Sequence, residues 1–322
     1  MRIHRILGFA LLSTLLSLSI PTQAQTSNFP SQPVSIVVPT PPAGPLDLFA
    51  RLISQKLANR WGQPVVVRNQ PGAGTALGTQ TVARAKPDGH TLLVGNIAIS
   101  AHGALSKKPL FDVEQDLQPI SLIASTPFFL FTPQNGYKTI ESLIEEAKKN
   151  PTALNVAIIP NSQQHLDTIQ VLNAMGINAT LIPYQGTAPI TIALLSNEVD
   201  AYLGSLGGMQ DHLNEGRIHA LGATSAEPAQ HRPEVPTLKS MGFDVTLEPW
   251  YAVFAPAGLS PELISKLNKD LLDIMAEPEV TQKISAAGYD PKTSSPEALS
   301  TLISDNLKLS HKIVKDAQIE LR

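Results

Sequence analysis

Two loops rich in Gly and Pro carry the most readable chemistry of this chain. The first runs Pro39-Thr40-Pro41-Pro42-Ala43-Gly44-Pro45-Leu46-Asp47 and the second Asn69-Gln70-Pro71-Gly72-Ala73-Gly74-Thr75. Each follows a short β-branched run and leads into a segment of helical spacing. Each therefore presents the unpaired, partly positive N–H groups of a helix N-terminus. Two such ends converging bind a carboxylate without any Lys or Arg. Asp47 falls in the first turn of its helix. There it either caps free N–H groups and complements the dipole, or accepts a hydrogen bond from a ligand hydroxyl or ammonium. Further along, Asn161-Ser162-Gln163-Gln164 leads into a helix opened by His165. Tyr184-Gln185-Gly186-Thr187 links another strand to a helix and places a Tyr where it can line a cleft.

Catalytic templates fail. Gly72-Ala73-Gly74-Thr75-Ala76-Leu77-Gly78 has the spacing G-x-G-x-x-x-G, one residue too long for a dinucleotide fingerprint, and Asp88 comes too early for the ribose acid. Gly204-Ser205-Leu206-Gly207 puts Ser205 next to Gly, so it is no nucleophile elbow. Neither a Walker loop nor H-E-x-x-H occurs. The histidines, His102 among them, show no i, i+4 pair for a shared metal and read mostly as surface or loop residues. No cofactor or metal is implied.

The elements that must position these loops are βα units. The strand Val34–Val38 precedes a helix from Leu46 to Trp61, whose Leu48, Phe49, Leu52, Ile53, Leu57 and Trp61 share one face. Strand Val65–Val67 precedes a helix of small residues toward Ala85, and Thr91–Gly95 is a third strand. After the stretch 120–131 the rhythm restarts, which marks a second domain. It ends before the strand Tyr251–Ala255 and the helices from Pro261, Glu279 and Pro296, which return to the first domain. The expected organisation is residues 25–126 with 247–322 as domain 1 and 127–246 as domain 2. The two crossovers, near Ser125–Phe128 and Val245–Trp250, would serve as hinges.

The first residues are Met1-Arg2-Ile3-His4-Arg5, an apolar run from Ile6 to Ile20, then Pro21-Thr22-Gln23-Ala24. This reads as a secretory signal peptide cleaved after Ala24, its apolar run being shorter than the ~20 residues that span a bilayer. No later run is long enough to cross a membrane. The chain has no Cys, and its net charge is −3 with nothing basic concentrated enough for nucleic acid. Absence of disulfides in an exported chain is consistent with a bacterial periplasm.

Several segments together resemble the substrate-binding receptors of tripartite tricarboxylate transporters, the Bug proteins. They are Phe29-Pro30-Ser31-Gln32-Pro33-Val34, the Pro-Pro-x-Gly-x-x-Asp-x-x-Ala-Arg stretch ending at Arg51, and Gly62-Gln63-Pro64-Val65-Val66-Val67-Arg68-Asn69. Pro71-Gly72-Ala73-Gly74, Ala85-Lys86-Pro87-Asp88-Gly89 and Pro183-Tyr184-Gln185-Gly186-Thr187 follow in order, with Trp250-Tyr251 and Ala255-Pro256-Ala257-Gly258 at the return. The resemblance implies an α/β, two-domain periplasmic-binding-protein-like (type II) fold with mainly parallel sheets and a ligand cleft between the lobes. It implies capture of a small carboxylate for membrane permease subunits, without catalysis. Carried over, the ligand-binding positions are Thr40, Pro42, Ala43 and Asp47 in the first loop and Gly72, Ala73, Gly74 and Thr75 in the second. The other lobe would supply Ser162, His165, Tyr184, Thr187 and Ser205. This chain departs from the family where Ala43, Pro45 and Thr75 replace flexible or Gly positions. Two other readings stay open: a ligand-sensing adaptor for a membrane signalling protein, which neighbouring genes would separate, and an exported α/β enzyme, which a turnover assay would separate.

Overall fold

The computed structural model describes residues 29–150 and 153–321, so the expected signal peptide and its cleavage after Ala24 lie outside the described residues. The first half of the described chain runs β1 (Val34–Val38), α1 (Pro45–Trp61), β2 (Val65–Asn69), α2 (Ala76–Ala83), β3 (Thr91–Asn96), α3 (Ala98–Leu105), β4 (Leu117–Ser125) and β5 (Phe129–Pro133). Then come α4 (Ile140–Lys149), β6 (Asn155–Ile158), α5 (Gln163–Met175), β7 (Thr180–Pro183), α6 (Thr187–Leu195), β8 (Ala201–Gly204), α7 (Gln210–Asn214) and β9 (Ile218–Ala223). The chain closes with β10 (Trp250–Pro256), α8 (Pro261–Met275), α9 (Pro278–Ala286), β11 (Asp290–Pro291) and α10 (Pro296–Asp316).

Local rules explain most boundaries. α1 starts with Pro45 at its first position, where the missing N–H costs nothing, and stops at Gly62 with a φ of 65°. α8 and α10 each begin with a Ser whose hydroxyl accepts a backbone N–H, followed by Pro.

The strands form two sheets, ordered β11-β4-β10-β3-β1-β2 and β7-β6-β8-β5-β9. Both are mixed, which corrects the expectation of mainly parallel sheets. β1 pairs parallel with β2 and β3, but β10 is antiparallel to both β3 and β4. In the second sheet β6 is parallel to β7 and β8, while β5 is antiparallel to β8 and β9. The reason is connectivity. β4 leaves the first sheet at its C-terminal end, and β10 returns at that same end, so it must run the other way. β5 likewise enters the second sheet against the direction of β8. It follows that the loops after β1, β2 and β3 and those after β6, β7 and β8 all lie on the crossover side of their sheets.

The crossovers run side by side. Thr126 donates its backbone N–H to Pro249 O at 3.0 Å. The buried Thr224 Oγ1 accepts the Phe128 N–H at 2.9 Å and donates to Leu247 O at 2.6 Å.

Alternation puts each strand face in its own core. Tyr251, Val253 and Ala255 of β10 join Phe49, Ile53 and Leu271 on one side of the first sheet. Trp250, Ala252 and Phe254 join Ile99, Leu299 and Ile303 on the other. Phe49 is fully buried and meets Tyr251 and Tyr289 edge-on, with ring centroids 5.0 and 5.1 Å away. Such burial stabilises by about 1.5–3 kcal/mol per large side chain. α8, α9 and α10 return to the first sheet. α10 also reaches further: Ile313 and Val314 pack with Ala101, Ala104 and Leu105 of α3 and Leu166 of α5, an apolar cluster that bridges the two halves.

Candidate functional site

The first loop is built around Asp47. Its Oδ2 accepts the Ala43 N–H at 3.1 Å and the Arg51 Nε–H at 2.9 Å, and its Oδ1 accepts from Asn69 Nδ2 at 3.0 Å. Asn69 also donates to Thr40 O at 3.2 Å, which ties the end of β2 to the loop after β1. The Arg51 hydrogen bond outweighs burial and, with the Ala43 and Asn69 donors, holds the Asp47 carboxyl down at about 2. With three donors converging on a carboxylate only 5% exposed, the geometry supports the capping role over contact with ligand. Thr40, Pro42 and Ala43 line a cavity of about 350 Å³ together with Asn96 and Tyr251. The sequence placed Tyr251 in the strand that returns to the first domain and did not single it out as a site residue.

The second loop winds into a short 3₁₀ turn, Ala73–Thr75, before α2. Four residues of the site loops that are not Gly hold positive φ: Ala43 at 68°, Ala73 at 47°, Thr75 at 87° and Asn161 at 52°. A β-branched residue such as Thr75 is a marked outlier there, and backbone strain of this kind gathers at ligand sites. Ala43 and Thr75 are two of the positions read from the sequence as replacing a flexible position and a Gly, respectively, of the family that it resembles. Among the described residues the hydroxyls of Thr40 and Thr75 are buried and have no hydrogen-bond partner. Buried polar atoms are rarely left so.

The loop after β6 closes on itself. Ser162 caps α5, its Oγ accepting the His165 N–H at 3.3 Å and donating to Ile159 O at 2.6 Å. His165 Nδ1 accepts from Asn161 N at 3.4 Å, and burial pushes its imidazole below the ordinary His value, toward the neutral form. Ala73 and Gly74 of the first lobe and Asn161, Ser162 and Gln163 of the second meet across a cleft of about 400 Å³. Its floor is α3, which sequence reasoning did not assign. His102 of α3, read as a surface or loop residue, lies in this wall. Its Nε2 accepts the Leu110 N–H at 3.2 Å, so the proton sits on Nδ1, which faces Ser106 Oγ at 3.2 Å. The ring stacks on Phe111, and burial lowers its pKa.

Thr187, at the start of α6, lines a third cavity of about 450 Å³ with Ala188, Thr191, Gly207 and His212. Tyr184 instead turns its hydroxyl to Glu198 Oε1 at 2.9 Å, and Ser205 sits in the turn after β8. Neither lines any of these three cavities. Gly72, Thr75, Asp47 and His165 shape the loops from behind the walls. No Asp or Glu lines any of the three cavities. Among the described residues no group of three or more His, Asp or Glu is placed to hold a metal.

One further group on α5 lies apart from the cleft walls. Asp167 is buried, with Oδ1 accepting from Gln163 Nε2 at 2.7 Å and Oδ2 without a partner. Burial raises its carboxyl to about 7. The side-chain carbonyls of Gln163 and Gln170, one turn back and nearly one turn on, are also buried and unpartnered.

Residues 49–319 match the family model described as the tripartite tricarboxylate transporter family receptor. Protein BugT of Bordetella pertussis is 31% identical over 310 residues, covering 95% of this chain and 94% of that one. Among solved structures, MatC of Rhodopseudomonas palustris with bound malate is 27% identical with a TM-score of 0.72, covering 89% of this chain and 100% of that one. A second protein of that organism, solved with adipate, is 26% identical with a TM-score of 0.77, covering 91% and 100%.

Proposed function

The chain belongs to the tripartite tricarboxylate transporter receptor family, and on that premise we propose that it captures a small organic acid in the periplasm and delivers it to membrane permease subunits, with no chemical step of its own. The observation that carries this reading is the paired strand-to-helix loops of the first lobe, each with a buried, unpartnered hydroxyl, Thr40 or Thr75, in a setting whose cavities are free of acidic side chains. Free N–H groups at the starts of α1, α2, α5 and α6 add partial positive charge on the crossover side. A ligand carboxylate would settle against the Gly72–Thr75 loop while residues of the second lobe, Ser162 and Thr187 foremost, close over it. The adjacent crossovers let the lobes approach through a few dihedral changes. Malate and adipate in the relatives support a carboxylate as the ligand class. Among the described residues no helix is long and apolar enough to cross a membrane, in keeping with a receptor that meets its permease by docking.

The test is a thermal-shift screen of the purified protein against small carboxylates and their uncharged analogues. At a hundred times the dissociation constant a ligand adds roughly 2.7 kcal/mol to native stability. A rise with one class of acids names the ligand class. A rise with the uncharged analogues alone, or with none of a broad panel of acids, refutes the reading.

A further inference from the structure

The two lobes meet along one side of α5. Leu166 is fully buried there among Ala101, Ala104 and Leu105 of α3 and Ile313 and Val314 of α10. One turn earlier Gln163 shares the cleft of about 400 Å³ with Ala101, His102 and Leu105. One turn later Gln170 shares a cavity of about 340 Å³ with Leu309, Lys312 and Asp316 of α10. Asp167 stands four residues after Gln163 and three before Gln170, so helical spacing puts it on the side that the first lobe covers. It is 2% exposed. This seam holds acceptors without donors. Asp167 Oδ1 accepts from Gln163 Nε2 at 2.7 Å, but its Oδ2 and the side-chain carbonyls of Gln163 and Gln170 are buried and unpartnered. A carboxylate adds only lone pairs to such a set, whereas a carboxylic acid supplies the O–H donor that it lacks. No neighbouring charge answers Asp167 instead. His102 of α3 turns its ring nitrogens to Ser106 and Leu110, and burial holds it, like His165 of α5, toward the neutral form. Lys312 and Asp316 of α10 pair with each other, and Lys108 beyond α3 is exposed.

We propose that closing the lobes takes up one proton at Asp167: with the seam formed its carboxyl is protonated and donates to a Gln carbonyl, and with the seam parted it meets water and ionises. The proton comes from solvent on closing and returns to solvent on opening. The proposal rests on the receptor reading above, in which the lobes close over a ligand, and adds that acid favours the closed form. Burial in the seam raises the carboxyl to about 7 against an ordinary 3.8. Closure is therefore fully favoured below about pH 4 and grows harder as the pH rises through 7. Between those two values the equilibrium constant for closure falls about a hundredfold from pH 5 to pH 8.

The experiment is small-angle X-ray scattering of the ligand-free protein at pH 5 and pH 8, on the wild type, Asp167→Asn and Asp316→Asn, with circular dichroism verifying that each is folded at both values. The wild type is expected to be more compact at pH 5 than at pH 8. Asp167→Asn carries an N–H donor at either pH and should be compact at both, while Asp316→Asn, altered at an exposed acid of the same groove, should keep the wild-type difference. A wild-type radius of gyration that is the same at both pH values overturns the proposal. So does a pH difference that survives in Asp167→Asn, or one that disappears in Asp316→Asn. Because no ligand is present, these outcomes stand apart from the receptor reading, which the carboxylate screen tests separately.

Discussion

Replacing Asp167 with Asn removes an ionisable group from a place where the fold has no use for its charge. The carboxyl stands at about 7 in the folded chain against an ordinary 3.8, and burial is the cause. Because the folded value lies above the unfolded one, the contribution of Asp167 is fully present below about pH 4. It is lost as the pH rises through about 7. At about 1.4 kcal/mol per pH unit the full loss amounts to roughly 4 kcal/mol near pH 8, and to less than half of that near pH 5. Asn keeps the acceptor that Gln163 Nε2 uses at 2.7 Å. In place of the unpartnered Oδ2 it offers an N–H donor, and two acceptors, the carbonyls of Gln163 and Gln170, lie unpartnered on neighbouring turns of α5. Asp167→Asn is therefore expected to raise stability by about 2–4 kcal/mol near pH 8 and by much less near pH 5. Urea unfolding at both values, read as a shift of midpoint at constant slope, measures it. A gain of equal size at both pH values, or a loss at pH 8, would refute the reasoning.

Two further outcomes are expected. Thr75 holds a φ of 87°, a conformation that costs a β-branched residue on the order of 1–3 kcal/mol, while Gly gives back about 0.5–1 kcal/mol through the freedom of the unfolded chain. Thr75→Gly should accordingly stabilise by about 1 kcal/mol in thermal unfolding, and a lower melting temperature would contradict the assignment of strain. Asp47→Ala leaves the Ala43 N–H, Arg51 and the Asn69 amide without their common acceptor, at about 2–3 kcal/mol. Affinity for plain and hydroxylated diacids should then fall alike, and a loss confined to hydroxylated ligands would make Asp47 a direct contact. Since its carboxyl lies at about 2, below the ordinary 3.8, its stabilising effect is complete above about pH 4 and fades as the pH drops toward 2.

What the sequence made legible was whatever obeys a local rule. β1, β3 and β10 are β-branched or aromatic runs between turn residues, and α8 and α10 announce themselves by Ser-Pro starts. The Gly and Pro loops were readable as ligand loops because a strand before and a helix after fix where their N–H groups point. α3 was not readable. Ala98–Leu105 carries no acidic, Lys or Arg side chain and is packed between the first sheet and α10, so it lacks the polar face that makes helical periodicity visible. With it went the place of His102 in the cleft wall. The hydrogen bond of Tyr184 was hidden for a different reason: its partner, Glu198, is brought to it only by the folding of α6 and the turn beyond. Asp47 lay between these extremes. Ala43 and Arg51 are four residues away on either side and local, whereas Asn69 comes from the next strand. The departures at Ala43 and Thr75 were visible as letters, but their positive φ angles belong to the backbone. The mixed pairing of both sheets follows from where the chain crosses over, a fact of topology that no short window contains.

The position of β10 in its sheet also dictates an order of assembly. β10 lies between β3 and β4 and pairs with both, so without residues 250–256 those two strands have no connection and each keeps a bare edge. The second sheet has no such debt to a distant segment, being drawn wholly from residues 129–223. In a chain that emerges N-terminus first, the later-emerging sheet can close while the earlier one waits, its loop closure entropy still unmet. The sheet that the chain begins first, with β1, β2 and β3, is the one that it completes last.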